Sequence, residues 1–359
     1  METIVLYPLP AMGHLISMVE LGKLILNNHP SHSISIHILI STPSIHLGST
    51  APYIASVSAA TPSITFHHLP APTPPLDPIS FPSFELFLFE HVNRTNPHVH
   101  NALLSISQSS PIQAFIIDLF CSTALKIATS LHIPTYYFFT SGISCLSLFI
   151  YIPSLHKSTT KSFKDLNHTL LHVPGLPPFP ASHMPDPTLD RTKETYSRFL
   201  NIATHLPKSA GIIVNSFDSL EPRALETISN GLCVPDGPTP PIFCIGPLIA
   251  SNERRGDEAE QCLKWLDKQS SRSVVFLCFG SMGLFSKEQL KEIAVGLERR
   301  GLVSAAEVEK RVRELMDSEE GNSIRERVKA KKEEAIVATN EGGSSRIALA
   351  KLVQSWKQG

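Results

Sequence analysis

Two polar side chains lie where apolar segments of the chain end, and together they could transfer a proton. His14 follows the apolar segment Ile4–Tyr7, and Asp118 ends the apolar run that begins at Ala114. In an open α/β sheet, ligands collect at the carboxyl ends of the strands. An aspartate there can fix the tautomer of a histidine and stabilise the charge it gains as a general base. The alternative is structural: His14 packs in a tight turn, and Asp118 caps a helix near Ser122.

The position of His14 also predicts its protonation state. A histidine at the start of a helix feels the positive end of the helix dipole, which disfavours the imidazolium form. The sequence therefore predicts that His14 is neutral at about pH 7 and able to accept a proton.

A glycine-rich turn lies in the second half of the chain. Gly280-Ser281-Met282-Gly283 follows the apolar segment Ser273–Phe279 and precedes a predicted helix from Lys287 to Arg300. Backbone N–H groups in such a turn can bind phosphate, although a plain turn is the alternative. The turn matches neither G-x-G-x-x-G nor a P-loop, which argues against ordinary dinucleotide and ATP sites.

Short apolar segments that alternate with helical patterns must position these residues. Strands that are apolar on both faces and alternate with helices indicate a parallel sheet covered on both sides, a doubly wound α/β domain. The predicted strands are Ile4–Tyr7, Ile34–Ile40, Ile64–Leu69, Ala114–Ile117, Thr135–Phe139 and Gly211–Asn215. Two proline-rich stretches, 70–82 and 174–187, interrupt this alternation and are predicted to be loops.

The chain has 359 residues, a length that favours two domains. Prolines and glycines cluster between Cys233 and Pro247, and the polar stretch 251–260 follows. We therefore predict a first domain over residues 1–245 and a second over residues 246–359. The second domain contains one clear strand, 273–279, whereas a parallel sheet needs several.

The composition excludes several classes of partner. A formal net charge of −1 provides no basic field for nucleic acid, so we expect no nucleic-acid partner. The six cysteines are scattered and never spaced as C-x-x-C, and the histidines have no ligand-spaced neighbours, so we assign no metal.

The stretch from Leu131 to Leu155 contains no Asp, Glu, Lys or Arg, so its length alone would allow a membrane span. Pro134, Pro153 and the turn at Thr140 interrupt it, which favours a buried strand, a turn and a helix. The amino terminus lacks the basic start and long apolar core of a secretory signal. We therefore expect a cytoplasmic protein without a membrane span.

Taken together, these segments resemble the plant UDP-glycosyltransferases, which attach sugars to phenolic small molecules. The resemblance runs in order over residues 1–300 and continues in the tail from Val303 to Trp356. Its motifs are Pro8–His14, Phe115–Asp118, Gly211–Phe217 with Leu220 and Glu221, Ile245–Leu248, Cys262–Asp267 and Ser273–Ser281.

The resemblance implies an α/β protein of the GT-B-like arrangement, in which two Rossmann-like domains face each other. The first would bind the acceptor, and the second a UDP-sugar, which is a co-substrate, so no cofactor is implied. His14 would deprotonate the acceptor hydroxyl, and Asp118 would orient His14. The expected activity is the transfer of a hexose, glucose, to a hydroxyl of a flavonoid or other phenol, with inversion at the anomeric carbon.

The resemblance also implies binding residues for both substrates. Thr140 would lie near the sugar, and Gly280 and Ser281 near the diphosphate. Phe84, within the phenylalanine-rich stretch 81–89, and Phe120 would flank an aromatic acceptor.

One part of the family pattern does not occur in this sequence. Family members carry most of the second Rossmann-like domain between the helix that ends near Arg300 and the closing helices, including the signature box that binds UDP-sugar. Arg300-Gly301 has the character of a junction after an internal deletion, so the second domain is expected to be truncated. The alternatives to an active transferase are a non-catalytic acceptor-binding protein and a poorly folded truncated variant. A nicotinamide-dependent oxidoreductase is disfavoured, because Pro8 and Pro10 stand where its glycine fingerprint would be.

Overall fold

A computed structural model describes most of the chain. The described residues are 2–28, 34–45, 50–250, 257–270, 274, 276, 278, 285–298, 310, 312–316 and 318–356. The chain forms two compact units: Met1–Ile249 together with Ala335–Gly359, and Ala250–Glu334.

The first unit contains a seven-stranded parallel sheet with helices on both faces. The strands are β1 (Glu2–Tyr7), β2 (Ile34–Ile40), β3 (Ile64–His68), β4 (Ile112–Asp118), β5 (Thr135–Phe139), β8 (Gly211–Val214) and β9 (Ile242–Cys244), and the pair β6 (Leu170–Leu171) and β7 (Phe179–Pro180) forms a small antiparallel sheet. The helices of this part are α1 (Met12–Asn28), α2 (Ala51–Ala60), α3 (Phe84–Ser109), α4 (Ala124–Ser130), α5 (Ile143–Ser158), α6 (Glu194–His205) and α7 (Pro222–Ser229). The strand order is β3-β2-β1-β4-β5-β8-β9.

The buried strands explain this architecture. Alternate residues of β1 enter opposite layers of the core: Val5 and Tyr7 pack in one, and Ile4 and Leu6 in the other. All four are completely buried. Because both faces of the strand are apolar, the sheet must be covered by helices on both sides.

The six predicted strands are confirmed, with ends that differ by at most two residues. The charge-free stretch from Leu131 to Leu155 forms β5, a turn and most of α5, as predicted. Within the ranges that the structure describes, no helix combines the length and apolar character needed to cross a bilayer. The sequence analysis missed β9, a three-residue edge strand next to Pro241, where proline is tolerated because one side of the strand needs no partner.

The second unit, described by itself, contains α8 (Asp257–Leu266) and α9 (Lys287–Glu298). Trp265 of α8 is 55% exposed. The predicted strand 273–279 lies outside the described residues except for Val274, Phe276 and Cys278, and Phe276 is 86% exposed. The predicted junction at Arg300-Gly301 lies outside the described residues.

The last helices are α10 (Glu319–Thr339) and α11 (Ser344–Ser355). Ser345 at the start of α11 donates its hydroxyl to the carbonyl of Gly246 at 2.6 Å, and the hydroxyls of Tyr136 and Ser355 are 2.9 Å apart. Trp356 is buried and packs edge-on against Tyr136. By contact, the residues from Ala335 onward therefore belong with the first unit, whereas the sequence analysis places them in the second domain. The reason is the apolar face of α11, which completes one layer of the first unit's core.

Replacing Ser345 with alanine is expected to lower the free energy of unfolding of the first unit by about 1 to 3 kcal/mol. The change leaves the buried carbonyl of Gly246 without the hydroxyl that donates to it. Thermal unfolding followed by circular dichroism measures the loss. The matched control is Ser344→Ala, one residue earlier and less buried, and an equal loss in both variants would contradict the role of this hydrogen bond.

Candidate active site

The candidate site lies at the carboxyl edge of the main sheet, where the strand order reverses. The chain runs outward from β1 through β2 to β3 on one side, and from β4 onward on the other. The loops after β1 and β4 therefore leave the sheet in opposite directions, and this is the usual ligand position in an open α/β sheet. His14, in the first turn of α1, and Asp118, the last residue of β4, both lie here.

The structure brings His14 and Asp118 into direct contact. The Nδ1 atom of His14 is 2.6 Å from Oδ2 of Asp118, and the histidine side chain is 26% exposed while the aspartate is only 2% exposed. The other carboxylate oxygen, Oδ1, accepts the backbone N–H of Phe120 at 3.0 Å. Asp118 thus orients the imidazole and caps the turn that follows β4 at the same time.

The pKa of His14 differs from the sequence-based expectation. Burial lowers this pKa, but the hydrogen bond and the negative charge of Asp118 outweigh burial, and the net shift is upward from the ordinary value. The aspartate acts at contact distance, which is why its effect on this pKa prevails over burial. His14 is therefore a stronger base than a free imidazole, and a larger fraction of it is protonated at neutral pH than predicted.

Phe120 places an aromatic surface beside the histidine. Its ring packs edge-on against His14, with 6.0 Å between ring centroids. Phe89 and Phe199 complete a cluster around it, at 6.1 and 6.0 Å from Phe120. A cavity of about 470 Å³ opens on the side of this cluster away from His14, and it is lined by Phe89, Phe120, residues of α6 and polar residues in the stretch 122–126. The arrangement offers an apolar surface next to a base.

The other predicted acceptor residue, Phe84, lies elsewhere in the same core. It stacks on Phe87 at 6.4 Å and forms no described ring pair with Phe120. Phe199, which does join the cluster, was missed by the sequence analysis. It lies on α6, at one of the apolar positions of an amphipathic helix, where the sequence alone cannot distinguish a core residue from a site residue.

The predicted donor-binding residues have different outcomes. Thr140 is exposed and directly follows β5, the strand next to β4. Asp118, the last residue of β4, pairs in register with Phe138 of β5. Gly280 and Ser281 lie outside the described residues. In the part of the chain that the structure describes, no three His, Cys, Asp or Glu side chains are grouped as metal ligands would be.

Comparison with known proteins gives the family. A family model for the glycosyltransferase N-terminal domain matches residues 2–250. The chain is 50% identical over 298 residues to UDP-glycosyltransferase 88B1 of Stevia rebaudiana, a match that covers 83% of this chain and 64% of the relative. It is 36% identical to anthocyanidin 5,3-O-glucosyltransferase of a Rosa hybrid cultivar over 481 aligned positions, which cover 99% of each protein.

A solved structure shows the same fold. The structure of Phytolacca americana UGT2 complexed with UDP-2fluoro-glucose and pterostilbene matches with a TM-score of 0.85 at 26% identity, covering 99% of this chain and 100% of that one. The fold is therefore GT-B-like, as predicted.

The length of the chain differs from that of these relatives. It spans 64% of the Stevia relative, and its 359 residues are aligned over 481 positions with the rose relative. Because that second match covers both proteins almost end to end, the missing residues are internal. The chain belongs to the UDP-glycosyltransferase family and lacks an internal segment that full-length relatives carry.

Proposed function

We propose that this protein is a UDP-sugar-dependent glycosyltransferase that transfers a hexose, glucose, to a hydroxyl of a flavonoid or related phenol, with inversion. The hydrogen bond between His14 and Asp118, at the point where the strand order reverses, carries the proposal. A buried carboxylate bonded to a partly exposed imidazole is suited to general-base catalysis, because it holds the imidazole tautomer and stabilises the imidazolium.

The reaction follows from this geometry. Nδ1 of His14 donates to Asp118, so the lone pair on Nε2 accepts the proton of the acceptor hydroxyl. The acceptor oxygen then forms a bond to the anomeric carbon, and the bond from that carbon to the UDP oxygen breaks on the opposite face. The proton stays on His14, where the charge of Asp118 stabilises the imidazolium. UDP leaves with the electron pair of the broken bond.

The substrate class rests on the aromatic cluster and on the relatives. The name of the rose enzyme specifies an anthocyanidin, and the Phytolacca structure contains pterostilbene and UDP-2fluoro-glucose. In this chain, Phe120 offers an aromatic surface against His14, where a planar phenol would lie with its hydroxyl near the base. We assign Thr140 to the sugar, Gly280 and Ser281 to the diphosphate, and Phe84 to the residues that flank the acceptor.

A second candidate function is binding without turnover. The missing internal segment favours it. The N-terminal domain model matches residues 2–250, so the resemblance assigns the missing segment to the donor half, whereas the His14–Asp118 pair and its aromatic neighbours lie in the first unit. Such a protein would bind a phenol and leave it unchanged.

A poorly folded variant is the third candidate, favoured by the exposure of Trp265 and Phe276 in the second unit.

Calorimetric titration of the purified monodisperse protein with UDP, and then with a simple flavonol, tests the proposal. We expect both to bind, and UDP-glucose to be consumed in the presence of the flavonol. Flavonol binding without UDP binding would contradict the transferase and support the acceptor-binding protein. A broad thermal transition without binding of either compound would indicate the poorly folded variant.

Replacing Phe120 with alanine is expected to weaken flavonol binding about tenfold, the loss that corresponds to one aromatic contact of about 1.4 kcal/mol. Titration of the variant with the same flavonol measures the dissociation constant. Phe84→Ala is the comparison, because the ring of Phe84 stacks on Phe87 whereas the ring of Phe120 packs against His14, and we expect it to have the smaller effect. A larger loss for Phe84→Ala would mean that the acceptor lies away from His14.

A further inference from the structure

The amino-terminal end of α5 is capped by a carboxylate from a distant part of the chain. Glu221 accepts the backbone N–H of Ile143 at 2.6 Å and that of Ser144 at 3.0 Å. The hydroxyl of Ser216 donates a third hydrogen bond to the same carboxylate at 3.2 Å. These bonds tie the start of α5 to the segment that follows β8.

This helix end has no negative group of its own. The first turn of α5 contains no acidic residue, and Gly142 at its N-cap has no side chain to offer. The free N–H groups at the start of a helix carry partial positive charge and attract anions. Burial raises the pKa of Glu221, but hydrogen bonds from Ser144, Ile143 and Ser216 outweigh burial, and the net shift is downward. Glu221 is therefore ionised and supplies the anion.

Gly142 leaves the space that the carboxylate occupies. A Cβ atom at this position would lie 2.6 Å from Oε2 and 3.0 Å from Oε1 of Glu221. The φ angle of Gly142 is −74°, which any residue adopts, so a side chain here would have to displace the Glu221 carboxylate but would not strain the backbone. The Glu221 carboxylate therefore packs closely against Gly142.

The contact fixes a segment that faces the candidate site. Thr140 and Ser141 connect β5 to Gly142, and the hydrogen bonds of the sheet hold β5 next to the strand that ends at Asp118. Thr140 is exposed at this edge, and its path is fixed by β5 on one side and by the capped end of α5 on the other. A shift of the first turn of α5 would therefore move Thr140 relative to Asp118.

We propose that Glu221 is a positioning residue for sugar transfer: its carboxylate fixes Thr140 at the edge of the site. This inference rests on the proposed function, because it assigns Thr140 to the sugar.

The first experiment observes Thr140 directly. Replacing Glu221 with alanine removes the carboxylate and leaves a space that formate can enter. In protein labelled at the threonine methyl groups, we expect the Thr140 signal to shift in Glu221→Ala and to return toward its original position with formate. We also expect formate to raise the Tm of this variant and not that of the wild type. Glu226→Gln, an exposed glutamate in α7, is the matched control and should leave the Thr140 signal unchanged.

The second experiment measures kinetics with UDP-glucose and a flavonol. We expect Glu221→Ala to lower kcat/KM for UDP-glucose between about tenfold and a hundredfold, the effect of a small misplacement in a site. The KM for the flavonol should stay unchanged, and formate should restore part of the loss. If the alanine variant does not fold, Glu221→Gln keeps one acceptor oxygen and is expected to show the same changes to a smaller extent.

The outcomes separate this inference from the proposed function. A Glu221→Ala variant that loses stability, but keeps both its Thr140 signal and its kcat/KM, would overturn the positioning role. Absence of transfer by the wild-type protein would overturn the transferase instead, and the methyl signal alone would then decide whether Glu221 positions Thr140.

Discussion

Replacing His14 with alanine is expected to lower kcat for sugar transfer by about 10²- to 10⁴-fold, the contribution of a positioned general base. The reason is the 2.6 Å hydrogen bond to Asp118, which fixes the imidazole and raises its pKa above the ordinary value. No other side chain within the described residues is bonded to this carboxylate. The measurement is the initial rate of UDP release with a flavonol at saturating UDP-glucose.

The control must show that the loss comes from chemistry and not from unfolding. His183→Ala replaces an exposed histidine in a turn of the first unit and is expected to keep the full rate. The His14→Ala variant is expected to bind the flavonol with nearly unchanged affinity, because Phe120 and its aromatic neighbours remain. A rate within threefold of the wild type, at equal flavonol affinity, would show that His14 is not the base.

The strands that position this pair could be predicted from the sequence, because burial on both faces leaves a clear pattern. Ile4–Tyr7 and Ala114–Ile117 contain no polar residue, and a strand without a polar face must lie inside a covered sheet. His14 and Asp118 were then expected to meet, since the carboxyl ends of parallel strands share one edge. Their hydrogen bond follows from topology, which the order of strands and helices already indicates.

Other features depend on tertiary contacts and leave no local pattern. β9 has only three residues beside a proline, so its pairing with β8 determines its structure more than its own composition does. Glu221 is 78 positions away from Ile143 in the sequence, and no residue near Ile143 indicates that a carboxylate binds the start of α5. The predicted direction of the His14 pKa shift was also wrong, because it rested on the helix dipole alone and left out the charge and hydrogen bond of Asp118.

The domain to which α11 belongs could not be predicted from the sequence for a similar reason. This helix follows the other predicted elements of the second domain in the sequence, so the sequence analysis assigned it to that domain. Its apolar residues Leu349, Leu352 and Val353 instead fill a core layer of the first unit. An amphipathic pattern shows that a helix has one buried face, but it does not show which domain covers that face.

Replacing Asp118 with asparagine is expected to lower kcat by up to about 10⁴-fold, because an amide no longer stabilises the imidazolium or enforces the tautomer with Nε2 free. The pH dependence should change as well. Without the charge of Asp118, burial remains as the main influence and lowers the pKa of His14. The basic form would then be present at lower pH, and the acid limb of the kcat/KM profile should move to lower pH while the maximum falls.

The stability of the same variant has a defined pH dependence. In the wild type, the pKa of His14 is higher in the folded than in the unfolded protein, where it is about 6.5. The resulting stabilisation is fully present below the unfolded value and is lost as the pH rises through the folded value. The difference in Tm between the wild type and Asp118→Asn should therefore be larger at about pH 5.5 than at about pH 8.5.

The control is Asp186→Asn, which replaces an exposed aspartate of the first unit. Its difference in Tm from the wild type should be the same at both pH values. For Asp118→Asn, a difference in Tm that is the same at both pH values would mean that Asp118 stabilises the fold only through the turn at Phe120, and that the charge on His14 gains nothing from it.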